Sequence, residues 1–276
     1  MGQPRARRRR WPIVLAGAAA VGVLGVGAAA YLWPGTTPVI SVASCTATAG
    51  SAEVVLGTAE TANAATIAAV GKRAGLPDHA VTVALAAALQ ESKLRNLDYG
   101  DLDSVGLFQQ RPSQGWGSPE QLRDPSYAAA AFYNRLAEVP GWETMSVTDA
   151  AQAVQHSAGP TAYARWEPRA RTLSTVLTGQ VPAGLRCRYD LPPGGATPGT
   201  VTGGLAREAG PAGVGTTVPS ARGWLVASWL VAHGEAQGVA SVSFDGMTWT
   251  PGSGRWRQQP PKRSEVAFQM APSRPS

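Results

Sequence analysis

The chain has 276 residues and a formal net charge of +6. Arg5, Arg7, Arg8, Arg9 and Arg10 supply five of those charges, and the 243 residues after Trp33 hold 19 Lys and Arg against 18 Asp and Glu. Nucleic-acid-binding domains spread or stripe their cations over a folded face, so a basic block confined to one end beside an apolar run excludes that class.

In chain order, residues 1–10 read as a basic cytoplasmic tail. Residues 11–33, WPIVLAGAAAVGVLGVGAAAYLW, form a 23-residue run without charge. As a helix that run spans a bilayer core. Trp11, Tyr31 and Trp33 lie at its ends, where an aromatic belt sits, and the preceding arginines place the N-terminus in the cytoplasm and the rest outside. A cleaved signal peptide is the alternative, although its apolar run is normally shorter. No second run of that length exists, which excludes a multi-span transporter. Residues 34–52, rich in Thr, Ser, Ala and Pro, read as a stalk.

Residues 53–188 read as the first globular domain, mainly α. Ile67, Val70 and Ala74 recur at helical spacing in Thr61–Ala74. Asp78 reads as the N-cap of a helix over Ala80–Leu94 that turns Val81, Leu85, Ala88 and Leu89 inward. Further helices are predicted over Ser126–Val139, Val147–Ser157 and Arg165–Thr178, the last with Pro168 near its start and Gly179 behind it. Cys45 and Cys187 flank this domain. Outside the cell they are expected to join in a disulfide closing roughly 140 residues, a constraint that stabilises by somewhat under about 5 kcal/mol; two free thiols are the alternative.

Residues 189–220 contain 8 Gly and 5 Pro in 32 positions without periodicity, and read as a linker. Residues 221–259 read as a small α+β unit. Leu225, Val226, Trp229, Leu230 and Ala232 make an apolar helix face, Val239–Phe244 alternates like a strand, Asp245-Gly246 is a hairpin turn, and Met247–Thr250 returns. Trp224, Trp229, Trp249 and Trp256 fit either core packing or glycan stacking. The polar, Pro-rich residues 260–276 read as a disordered tail.

The stretch that carries chemistry is Leu89–Gly117, LQESKLRNLDYGDLDSVGLFQQRPSQGWG. Glu91 lies near the end of a very apolar helix. Ser104, Gln109, Gln110 and Trp116 follow in one loop. If helix and loop close on each other, Glu91 faces a cleft of amides and an indole, surfaces that suit a sugar ring. An apolar wall raises a Glu pKa and suits it to act as a general acid. By spacing alone the reading of Glu91 as a solvated helix-end residue prevails over the catalytic one. Asp98, Asp101 and Asp103 in the same loop read as turn residues or as a second carboxylate that orients water in an inverting hydrolase. His79, His156 and His233 are scattered without metal-ligand spacing, and neither a metal nor a cofactor is expected.

Glu91-Ser92, Ser104 and Gly106-Leu107-Phe108-Gln109 resemble the ES…S…GLMQ signature of soluble lytic transglycosylases, which have a lysozyme-like fold. Gln155-His-Ser-Ala-Gly-Pro160 is similar to that family's AYNAGP segment, with His156 and Ser157 departing from its Tyr and Asn. The longer match through GLFQQRPSQGWG resembles exported actinobacterial proteins with a transglycosylase-like domain, and residues 221–259 resemble a small domain appended to actinobacterial cell-wall enzymes. The resemblance implies that Glu91 cleaves peptidoglycan between N-acetylmuramic acid and N-acetylglucosamine, giving 1,6-anhydro products. It implies that Ser104, Gln109, Gln110, Trp116 and Gln155 line the glycan cleft, with Tyr163 the nearest match to the family's late Tyr. The partners implied are peptidoglycan strands and, through residues 11–33, the membrane. A muramidase using a second Asp and a non-catalytic wall-binding protein are the alternatives.

Overall fold

A computed structural model describes residues 43–156, 159, 161–191, 196–211 and 213–272. The basic tail, the apolar run 11–33, residues 34–42 of the expected stalk and Ser157 lie outside the described residues. Among those described, no helix is long and apolar enough to cross a membrane.

The first helices are α1, Thr58–Arg73, and α2, Asp78–Glu91. Every residue of α2 from Ala80 to Leu89 is buried. A helix apolar on all sides has to sit in the middle of a fold, and α2 packs against α1 and against three helices that follow it in sequence. Its many alanines let the neighbouring backbones come close. The predicted N-cap shifts by one residue: Pro77 holds that position and Asp78 is the first helical residue, its carboxylate pairing with Lys72 Nζ at 2.8 Å. The helix stops at Glu91, three residues before the predicted end. Lys93 and Leu94 take positive φ of 60° and 63°, and Leu94 N–H returns to Ala88 O at 3.2 Å. Burying the Leu94 side chain completely offsets the backbone cost.

The short α3, Pro119–Leu122, begins with a capping box between Ser118 and Gln121. Helix α4, Pro125–Ala137, is capped by Asp124 and has Pro125 in its first turn. Helix α5, Val147–Gln155, starts at the Ser146 cap and ends on His156 at φ 50°. Helix α6 spans Glu167–Leu177. The last three lie close to their predicted spans because caps and prolines mark their ends, whereas α3 was not predicted.

Strands β1, Ser44–Ala49, β2, Ala52–Leu56, and β3, Leu185–Arg188, form an antiparallel sheet in the order β2-β1-β3. Cys45 and Cys187 are opposite each other in the β1–β3 ladder and form the expected disulfide across 142 residues. The residues after 43 are therefore not a stalk. Their small and polar side chains hide a strand whose Cys45 and Ala47 face α6 and the core.

The region read as a linker contains a further helix, α7, Pro198–Ala209, capped by Thr197. Gly203 and Gly204 lower its intrinsic propensity, yet Val201, Leu205 and Ala209 are buried on one face against α1 and α8, Ser220–Ala232. The short α9, Gly234–Gln237, leads into a second antiparallel sheet. Its strands are β4, Val239–Phe244, β5, Met247–Thr250, β6, Arg255–Gln258, and β7, Ala267–Met270, in the order β6-β5-β4-β7. The hairpin at Asp245-Gly246 is present, with positive φ at both residues. The residues read as a disordered tail include β7, which pairs with β4 and buries Val266. That pairing is non-local and carries no local turn signal.

Nor are there two folded blocks on a flexible tether: the described residues pack as one compact unit. Trp249 Nε1 donates to Cys187 O at 3.1 Å and Trp256 Nε1 to Leu185 O at 2.8 Å, so the second sheet is hydrogen-bonded to β3 of the first. Trp224, Trp229 and Trp249 are buried, which assigns them to packing. Under α8 the buried Glu208 carboxylate of α7 accepts from Trp229 Nε1 at 2.6 Å, Thr66 Oγ1 at 2.8 Å and Ser126 Oγ at 3.1 Å. One carboxylate thus joins α1, α4, α7 and α8. Removing it takes the acceptor from the buried Trp229 Nε1 and Thr66 Oγ1 and from the part-buried Ser126 Oγ, so Glu208→Ala is expected to destabilise the chain by about 3 kcal/mol and Glu208→Gln by less; urea unfolding measures both.

Candidate active site

The carboxyl end of α2 and the loop after it form one wall of a groove of about 700 Å³. The loop is folded by its own hydrogen bonds. Ser92 Oγ donates to Leu107 O at 2.7 Å, Gly106 N–H to Leu97 O at 2.7 Å, and Val105 and Gln110 exchange backbone bonds. Gly106 has φ 77°, and a Cβ there would stand 2.2 Å from Leu122 O, so no other residue fits. Leu107 and Phe108 are fully buried, with Phe108 stacked on Phe132 at 4.8 Å. The Gly-Leu-Phe run therefore anchors the loop, and the residues on either side of it face the groove.

Glu91 lies in that groove, part-buried, with Oε1 accepting from Tyr163 Oη at 2.8 Å. Burial raises its pKa above the ordinary 4.5. Hydrogen bonds from Tyr163 and Gln155 and the Lys93 charge act the other way without cancelling it. Tyr163 is itself fully buried, so its hydroxyl is aimed at the carboxylate by packing.

The groove brings together Glu91, Ser104, Gln109, Gln110, Trp116 and Gln155, all six singled out from the sequence. Their amides are partly committed. Gln109 Nε2 donates to Tyr99 O at 3.3 Å and Gly106 O at 3.2 Å. Gln155 Nε2 donates to Phe108 O at 2.8 Å, tying α5 to the loop. Gln110 Nε2 donates to Ala128 O at 3.2 Å, while its buried Oε1 has no partner among the described residues. Trp116 carries the Arg135 guanidinium over its ring at 5.0 Å.

The three aspartates separate. Asp103 accepts from Arg111 Nε at 2.8 Å, Ser113 N at 2.7 Å and Ser113 Oγ at 3.0 Å, which hold its carboxyl down at about 2. It is a loop staple rather than a base. Asp98 is exposed and is not part of the groove wall, whereas Asp101 is. His156 lines the groove from the end of α5, His79 stacks with Trp142, and His233 is tucked against Trp229. Among the described residues no group of three His, Cys, Asp or Glu side chains is placed to hold a metal.

The opposite wall, Arg135, Glu138 and Val139 of the α4 end together with Ala153 and Val154 of α5, was not anticipated. Their spacing is that of ordinary surface and core positions; only the packing of α5 on α2 and α4 brings them to the groove. No protein-family model matches the chain, and no curated protein matches its sequence.

The Tyr163 hydroxyl stabilises the ionised form of Glu91. Tyr163→Phe is therefore expected to move the Glu91 titration to higher pH, read from its side-chain carboxyl carbon by NMR. Glu91 binds its proton more tightly folded than unfolded, so its stabilising contribution is present at low pH and lost as pH rises through the folded value. Glu91→Gln is accordingly expected to melt higher than the native chain near pH 7 and level with it near pH 4; calorimetry at the two pH values checks this.

Proposed function

We propose that the protein cleaves the glycan strands of peptidoglycan as a lytic transglycosylase of lysozyme-like fold, with Glu91 as the sole acid and base. The observation that carries the reading is a carboxyl kept above its ordinary pKa at the end of a buried helix, facing a groove of amides and an indole. It is supported by the resemblance of the Glu91–Gln109 stretch to that family.

In this reading the strand lies along the groove with a bond between N-acetylmuramic acid and N-acetylglucosamine over Glu91. Protonated Glu91 gives its proton to the bridging oxygen as the bond to the muramoyl carbon breaks. The carboxylate left behind, held by Tyr163, then takes the proton of the muramoyl 6-hydroxyl as that oxygen closes on the same carbon. The product is a 1,6-anhydro sugar and no water is consumed. Gln109, Gln110 and Gln155 present amides to the sugar hydroxyls and acetamido groups, and Trp116 offers a ring face. Residues 11–33 would hold the enzyme at the membrane with this groove on the outer side.

Asp101 in the groove wall favours a second reading, an inverting muramidase in which Asp101 orients water; that geometry requires carboxyls about 6.5–9.5 Å apart. A wall-binding protein without activity is the third. Mass analysis of products from purified peptidoglycan separates them. Anhydro-muropeptides, with a loss on the order of 10³-fold for Glu91→Gln and little change for Asp101→Asn, are the expected result. Reducing ends that vanish with Asp101→Asn would establish the hydrolase. Equal and negligible release by native chain and Glu91→Gln would leave only binding.

A further inference from the structure

Two cations lie beside the end of α2, and one of them, Lys93, also acts on the Glu91 carboxyl. Lys93 Nζ stands 4.7 Å from the centroid of the Trp166 ring, and the Arg165 guanidinium stands 5.2 Å from the same centroid. Both are fastened to Gln90, the residue before Glu91. Lys93 Nζ donates to Gln90 O at 2.9 Å, and Arg165 Nη2 and Trp166 Nε1 donate to Gln90 Oε1 at 2.9 and 2.8 Å. The segment that supplies Arg165 and Trp166 also supplies Tyr163, so one stretch of chain clamps the cations and the Glu91 carboxyl together.

Among the described residues neither Lys93 nor Arg165 makes an ion pair. Partial burial and the neighbouring Arg165 charge lower the Lys93 pKa, the Glu91 carboxylate opposes that shift without cancelling it, and Arg95 adds to the repulsion. Two like charges against one ring repel each other, and Trp166 already reaches Gln90 without help from either. Positive charge beside Glu91 also opposes the cationic character that the sugar ring gains as its bond breaks. An anion placed between the two side chains reverses both penalties. Lys93 retains N–H groups beyond the one bound to Gln90, and the Arg165 fork suits a planar two-oxygen acceptor.

We infer that Lys93 and Arg165, held on Trp166 beside Glu91, form a binding site for a carboxylate on the peptide arm of the glycan substrate. This rests on the glycan-strand reading above. The enzyme then selects strands by their peptide arms as well as by their sugars, and prefers arms with free carboxylates.

Cleavage by the full chain in detergent is measured on strands whose peptide arms carry free carboxylates and on the same strands with those carboxylates converted to carboxamides. The double variant Lys93→Gln, Arg165→Gln is expected to raise KM about tenfold on strands with free-acid arms, the loss of about one charge-assisted contact. Its KM on strands with amidated arms stays within about twofold. Lys93→Arg, which keeps the charge, restores most of the affinity. Equal losses on both substrates, or none on either, overturn the site. A second arm uses calorimetry on the Glu91→Gln chain with a soluble muramoyl peptide bearing free carboxylates or carboxamides. Binding that favours the free acid and weakens with Lys93→Gln, Arg165→Gln supports the site even if the native chain cleaves neither glycan, in which case only the catalytic reading falls. Cleavage of both glycans together with binding indifferent to charge sinks the site alone.

Discussion

The burial of α2 on every side is the constraint on which the rest of the structure depends. A helix with ten consecutive buried residues has to be surrounded, and α1, α4, α5 and α6 surround it. Its far end cannot be surrounded in the same way because it carries Glu91. The chain resolves the conflict by ending the helix there. Positive-φ residues turn the backbone away, Leu94 folds back into the core, and Ser92 ties the turn to the next loop. Glu91 is left where an apolar interior opens onto a polar groove, and this position raises its pKa. The property on which general acid chemistry relies is thus a by-product of how the central helix is packed and terminated.

Around that helix two polar devices hold the flanking elements. The disulfide fixes β1 to β3 and so brings the two ends of the helical region together. Glu208 gathers donors from α1, α4 and α8 into one buried acceptor. With the indoles of Trp249 and Trp256 bound to carbonyls of β3, the C-terminal residues become part of the same body as the groove. Helix α4 is touched by Glu208 at its start and lines the groove with Arg135 at its end, so the distal residues support one of the groove's walls.

Much of the candidate site was legible in the sequence because its signals are local. Glu91, Ser104, Gln109, Gln110 and Trp116 fall within 26 positions, and a loop with Gly106 at its tightest point has few ways to fold. Tyr163 could be named only by resemblance, and its role as the partner of Glu91 depends on packing 72 residues away. The opposite wall gave no signal, since Arg135 and Glu138 look like any solvated helix surface. The three aspartates looked alike in sequence. Arg111 and Ser113 remove Asp103 from consideration, and only the path of the loop places Asp101 in the groove.

The sequence by itself determined the helices, because caps, prolines and apolar periodicity act within a few residues. It also determined the hairpin at Asp245-Gly246, where both residues need positive φ, and it pointed to the disulfide through the count and placement of its cysteines. Only the tertiary structure decided the elements whose stability is non-local. Strand β1 is tied to β3 across 142 residues as well as to its local partner β2, α7 forms despite its glycines because α1 and α8 cover it, and β7 is held by β4. The raised pKa of Glu91 belongs to this second group, since desolvation is a property of everything packed around a carboxyl and not of the residues beside it in the chain.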